Sequence, residues 1–282
     1  MMATHPTEGS SPAVHLLRTE SGTIGYETFG PAGPLIVCSP GMGDLRRIYR
    51  FVAPALAAAG YRVVVTDVRG MGPGTSHWVD YSEAAIGRDL VNLVREVGGG
   101  PAILVANSIS AGAAVCAAAA SPETVSGLVL LAPFVRDVPV SFGMKMVFRL
   151  ALMRPWGPST WAKYQATKLY ASTPPADLPT HTAQVLANLR EPGRMVGFQK
   201  MARTNHASAA ASLAKVRSPT LVVIGAADPD YPSPREEGRW VADRLHGELV
   251  VLDRVGHYPQ AEAPDRLLPV LLPFLAKVRP AA

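Results

Sequence analysis

The chain has 282 residues, 48% apolar and 17% charged, a balance that excludes a disordered polymer and supplies one sizeable core with room for an insertion. Its formal charge of +5 reflects 27 Lys and Arg against 22 Asp and Glu, scattered with no basic run interleaved with aromatics, which argues against a nucleic-acid partner. Two cysteines, Cys38 and Cys116, both in apolar surroundings, imply neither a disulfide frame nor a zinc site.

The opening MMATHPTEGSSPAV has no cationic start followed by an apolar stretch, and no window of ~18 uninterrupted apolar residues occurs, so no membrane span is expected. A soluble, cytoplasmic protein is the expectation. Along the chain, VHLLRT and TIGYETFG (23–30) flank Gly22 and predict an antiparallel hairpin. Then LIVCS (35–39), RVVVTD (62–67), AILVAN (102–107), GLVLLA (127–132), TLVVIG (220–225) and ELVVLD (248–253) read as strands buried on both faces. Between them, IYRFVAPALAAAG (48–60), EAAIGRDLVNLVREVG (83–98) and SAGAAVCAAAAS (110–121) are helix-like. Strand alternating with helix predicts an α/β fold with a mostly parallel, eight-stranded sheet wrapped on both sides. The rhythm breaks over 134–218, which is helical and rich in Met, Trp and Tyr. The expected organisation is therefore a core over 14–133 and 219–278, with a helical lid over 134–218 covering the carboxyl ends of the strands.

The segment Ile103-Leu104-Val105-Ala106-Asn107-Ser108-Ile109-Ser110-Ala111-Gly112 runs from an apolar strand through a serine into a small-residue helix. This is the shape of a nucleophile elbow, in which the residues two before and two after the serine must be small; Ala106 and Ser110 meet that demand. A serine that merely caps a helix would give the same local pattern. Downstream, Asp228 follows the strand ending at Gly225, and His257 follows the next strand. Lone residues of these types are usually turn formers or structural, but serine, acid and histidine at the ends of three strands, in that order, form a rarer combination. Asp230 and Asp137 are the competing acids.

On these residues the chain resembles the α/β-hydrolase superfamily from about Val14 to Val278. Ser39-Pro40-Gly41-Met42-Gly43-Asp44 resembles the family's His-Gly oxyanion loop, with Pro40 where histidine often sits. Asp67-Val68-Arg69-Gly70-Met71-Gly72 resembles its Asp-x-Arg-Gly-x-Gly turn, and Gly256-His257-Tyr258-Pro259-Gln260 with Glu262 and Pro264 resembles its histidine loop. SPGMGD, the elbow, APFVRD and GHYPQAE together look similar to an actinobacterial group of these hydrolases. The departure from Gly-x-Ser-x-Gly lies at both glycines. The resemblance implies Ser108 as nucleophile, His257 as general base, Asp228 as the orienting acid, and an oxyanion hole from the backbone N–H groups of Met42 and Ile109.

It also implies a small-molecule substrate and no cofactor or metal. Met42, Phe134, His206 and Tyr258 are the expected substrate contacts. His5, His15, His77, His181 and His246 have no motif around them. The lid residues Phe142, Met144, Met146, Phe148, Met153, Trp156, Trp161, Tyr164, Tyr170, Met195, Phe198 and Met201 are expected to be mostly lid core, with some facing an apolar acyl group. A serine nucleophile disfavours the dehalogenase and epoxide hydrolase chemistries that attack through aspartate. Ester, thioester, lactone and carbon–carbon hydrolysis and acyl transfer all fit the fold, and so does a ligand-binding receptor with little turnover. Oligomeric state is not legible.

Overall fold

The computed structural model describes residues 12–137 and 141–278. Residues 1–11, and with them His5 and most of the opening segment, lie outside the described residues, as do 138–140 within the expected lid.

The strands are β1 (His15–Thr19), β2 (Gly22–Phe29), β3 (Leu35–Ser39), β4 (Arg62–Thr66), β5 (Ala102–Asn107), β6 (Val125–Leu131), β7 (Thr220–Gly225) and β8 (Glu248–Leu252). They form one eight-stranded sheet in the order β1-β2-β4-β3-β5-β6-β7-β8. The hairpin β1-β2 and the β2-β4 pair are antiparallel, and every later pair is parallel. The sheet is therefore mixed, as the two-residue link before Gly22 and the largely apolar later runs lead one to expect.

Alternate residues of the central strands enter opposite cores. Leu35, Val37, Val64 and Leu104 pack on one side with α2 (Glu83–Val97) and α3 (Ile109–Ala120). Ile36, Cys38, Val63, Val65, Ile103 and Val105 pack on the other with α1 (Val52–Ala58) and the C-terminal helix. Removing a fully buried side chain such as Ile103 from such a core costs about 2–5 kcal/mol. The helix expected over 48–60 is shorter, because Arg46–Tyr49 forms a separate 3-10 turn before α1.

Between β6 and β7 lie α4 (Phe142–Ala151), α5 (Gly157–Lys168), α6 (Leu178–Arg190), α7 (Arg194–Met201) and α8 (Ala207–Ser212). Trp161, Tyr170, Met195, Phe198 and Met201 are buried there. On and beside α4 the expectation of a packed apolar face fails: Phe142, Met144, Met146, Met153 and Trp156 are exposed. Among the described residues α4 packs mainly on α5, which leaves most of its apolar side chains exposed. The chain closes with α9 (Pro234–Leu245), α10 (Pro259–Glu262) and α11 (Pro264–Val278). No helix among the described residues is long and apolar enough to cross a membrane.

Sheet register builds the site. Ser39 at the end of β3 pairs with Ala106 near the end of β5. The loops Pro40–Asp44 and Asn107–Ser108 therefore leave the sheet side by side, next to the point where the strand order reverses. That is where an open α/β sheet leaves a crevice.

Candidate active site

Ser108 stands between β5 and α3 with φ 59° and ψ −124°, a conformation an L-residue holds only when its surroundings enforce it, at about 1–3 kcal/mol. The enforcement is visible. Its N–H donates to the Leu131 carbonyl at 2.9 Å, and its carbonyl accepts from the N–H groups of Ala111 and Phe134 at 3.0 and 3.3 Å. Ser110, which occupies the second glycine position of the common elbow, donates its hydroxyl to the Pro40 carbonyl at 2.5 Å and accepts from the Ser39 hydroxyl at 3.0 Å. The substitution thus ties the elbow to the Pro40–Asp44 loop. Gly41 backs onto the serine so closely that a β-carbon there would lie 2.9 Å from Ser108 Cβ.

Asn107 couples the elbow to the histidine loop, because its Nδ2 donates to the carbonyls of Leu131 and His257 at 3.0 and 3.1 Å. His257 is buried between β8 and α10, its N–H donating to Leu169 O at 2.8 Å. Glu262 holds the same loop by accepting from the N–H of Gly256 at 2.7 Å and from Ala171 and Ser172.

Nδ1 of His257 lies 2.8 Å from Asp228 Oδ2 and 3.7 Å from Asp230 Oδ2. Asp230 is otherwise engaged, with Oδ1 accepting from the Tyr164 hydroxyl at 2.6 Å. Asp228 Oδ1 in turn accepts from the N–H of Asp230 at 3.0 Å. Asp137 is elsewhere, accepting from the N–H of His206 at 3.1 Å. The three-acid choice therefore resolves geometrically to Asp228 as the direct partner. Burial alone would depress the His257 pKa, but the charge and hydrogen bond of Asp228, with Asp230 and Asp44 further off, outweigh it and lift the value to about 9. Burial raises the Asp230 carboxyl above its ordinary range, against the pull of His257. Ligand atoms of Asp228, Asp230 and His257 lie within 4.8 Å of one another, a spacing a cation could bridge, but each already holds a protein hydrogen bond.

Ser108 and His257 open onto one cavity of about 230 Å³. Gly41, Met42, Ile109, Phe134, His206 and Tyr258 line it, so the residues expected to touch substrate are gathered here, while Asp228 sits behind His257. Lid residues Phe148, Trp161, Tyr164 and Met201 complete an apolar and aromatic wall.

Two features were not legible in the sequence. His181 of α6, which has no motif around it, reaches back 137 positions to contact Asp44 Oδ1 at 2.7 Å, both side chains buried. Glu83 contacts His206 across 123 positions. Neither pair has a local signal, because the partners meet only through tertiary packing. His15 stacks on Tyr26, and His246 ends α9 in the left-handed region.

The model of the alpha/beta hydrolase family matches residues 36–270. The chain belongs to this family. Among curated relatives, a probable esterase of Oryza sativa subsp. japonica is 27% identical over 84% of this chain and 90% of its own length. A 2-hydroxy-6-oxononadienedioate/2-hydroxy-6-oxononatrienedioate hydrolase of Burkholderia vietnamiensis is 28% identical over 97% of this chain and 98% of its own. In structure, a thermophilic esterase from Thermogutta terrifontis superposes with a TM-score of 0.78 at 22% identity, over 95% of this chain and all of that one. This α/β hydrolase is thus an enzyme of the hydrolase class.

Proposed function

We propose that the protein is a serine hydrolase acting through an acyl-enzyme on a small, largely apolar ester, thioester or lactone. The observation that carries this reading is Ser108 held at φ 59° on the rim of a cavity it shares with a His257–Asp228 pair. In the reaction, Ser108 Oγ attacks the acyl carbonyl while His257 Nε2 takes its proton, and Asp228 fixes the Nδ1–H tautomer and stabilises the cation. The negative charge developing on the carbonyl oxygen is met by the backbone N–H groups of Met42 and Ile109, which do not reorganise during the step. His257 then protonates the leaving group, and a water deprotonated by the same histidine releases the acid and restores Ser108.

The apolar wall of Phe148, Trp161 and Met201 supports an apolar substrate. Carbon–carbon bond hydrolysis is the second reading, supported by the Burkholderia relative that matches nearly the whole chain. A cytoplasmic location belongs to the same proposal.

The test pairs a fluorophosphonate probe with p-nitrophenyl esters of increasing acyl length. Wild-type protein should be labelled at Ser108 and should turn the esters over; Ser108→Ala should fold and do neither. Labelling that survives this substitution overturns the assignment, and labelling without turnover of any ester points instead to a receptor or to the carbon–carbon chemistry.

A further inference from the structure

A second histidine paired with a buried acid lines the catalytic cavity. His206, at the start of α8, lines it, with Nδ1 2.7 Å from Glu83 Oε1. The Glu83 side chain is fully buried at the first position of α2, and its Oε2 accepts from the N–H of Ala209 at 3.2 Å. It lies over Gly112, where a β-carbon would come within 2.0 Å of Oε1, so the helix contact is shaped around the carboxylate. No Lys or Arg pairs with Glu83 among the described residues. Phe134 stacks on the His206 ring, with centroids 5.4 Å apart, and its other neighbours include His257 at 6.0 Å.

The charge balance decides what this histidine shows to the cavity. A buried carboxylate with no cation is costly, and that cost favours the forms in which the pair carries no net charge. Burial, the largest influence on Glu83, raises its pKa, and His206 only partly offsets that. Two net-neutral forms exist. Either Glu83 is ionised and His206 doubly protonated, or Glu83 keeps its proton and donates it to Nδ1 of a neutral imidazole. In both, Nε2 carries hydrogen. The alternative, ionised Glu83 with a bare Nε2, leaves a net negative charge in the interior, with the Asp137 carboxylate nearby adding to it. Nε2 is the ring nitrogen not engaged by Glu83, on a residue that lines the cavity.

We propose that His206 is a specificity-determining donor that selects substrates carrying a second oxygen acceptor, a keto or carboxylate oxygen, apart from the carbonyl attacked at Ser108. This rests on the reading of Ser108 as the reacting centre. The apolar cavity wall then holds the body of the substrate, and the Glu83–His206 pair fixes its polar end.

Three measurements test it. First, the ¹⁵N resonance of His206 Nε2 in the intact protein near neutral pH should be that of a protonated nitrogen; a lone-pair-type resonance overturns the proposal whatever the enzyme's activity. Second, kcat/KM should be higher for p-nitrophenyl 4-oxopentanoate or the mono-p-nitrophenyl ester of glutaric acid than for p-nitrophenyl pentanoate. If the oxygen belongs in the alcohol portion, 3-oxobutyl acetate should exceed butyl acetate instead. The favoured ratio should fall about 10- to 100-fold in His206→Leu and be partly kept in His206→Gln, which retains an N–H donor. Because each ratio compares two substrates on one preparation, partial unfolding of a variant cancels. No preference in either series, or a ratio that His206→Leu leaves unchanged, overturns the proposal. Third, with Ser108→Ala protein, methyl 4-oxopentanoate should shift the His206 ring resonances and methyl pentanoate should not. This binding result stands apart from turnover, so failure of the Ser108 chemistry is distinguishable from failure of the His206 contact.

Discussion

Gly41→Ala tests whether the loop after β3 and the elbow serine are fitted to each other. Gly41 does not need a left-handed backbone, so alanine is conformationally acceptable there and only contact matters. The added carbon would lie 2.9 Å from Ser108 Cβ and 3.1 Å from Asn107 Oδ1. Carbon–carbon contact relaxes to about 3.5 Å, so roughly 0.6 Å must be found by moving the serine or the loop. Ser108 is pinned at both its N–H and its carbonyl, and the loop is pinned through Ser110 and Pro40, so neither yields freely. A displacement near 1 Å costs about 10²-fold in rate, and half that is still felt, so kcat/KM should fall on the order of 10- to 100-fold. Overpacking of this kind costs about 1–3 kcal/mol, which leaves the fold intact. The assay is ester kinetics beside thermal unfolding, with Gly143→Ala as the control, since nothing among the described residues lies within 4 Å of a β-carbon at that exposed helical position. A Gly41→Ala enzyme that keeps its rate within twofold would refute the argument that this loop and Ser108 are mutually positioned.

Asp228→Asn should lower kcat by several orders of magnitude with the fold retained, because an amide cannot hold the required tautomer. Asp230→Asn, 3.7 Å from Nδ1 and bonded to Tyr164, should cost far less, and the reverse order in the same ester assay would reassign the acid. Activity should rise with pH as His257 loses its proton, with a midpoint on the alkaline side of an ordinary histidine, near 9. The fold favours protonated His257, so its contribution to stability is complete below about 6.5 and is lost as pH rises through the folded value. Thermal unfolding and kcat/KM should therefore move in opposite directions across that range; a profile centred at or below 6.5 would contradict the Asp228 interaction. Truncating Trp161, whose indole donates to the Gly43 carbonyl and whose ring lines the cavity, should reorder the kcat/KM series across acyl chain lengths. Equal loss toward every ester would mean the side chain only packs the lid.

Much of the architecture is legible in the order of amino acids alone, for a physical reason. The runs LIVCS, AILVAN and TLVVIG are buried at every position and apolar at all but one, because both faces of a parallel sheet are covered, and that property is written locally. The strand-to-helix change at Ser108 is local too, and so are the residues that close the histidine loop. Chain order then puts serine, acid and histidine after β5, β7 and β8. Tertiary structure alone sets the distance of each acid from His257, since Asp228 and Asp230 differ by two positions in sequence but lie 2.8 and 3.7 Å from its Nδ1. It decided the face of α4, whose apolar residues satisfy the helical pattern yet stand exposed because too little packs on them. It also decided that Asp44 meets His181 and that Glu83 meets His206. A polar side chain in a sequence carries its donor and its charge but no record of its partner, and whether burial makes that partner obligatory depends on segments more than a hundred residues away.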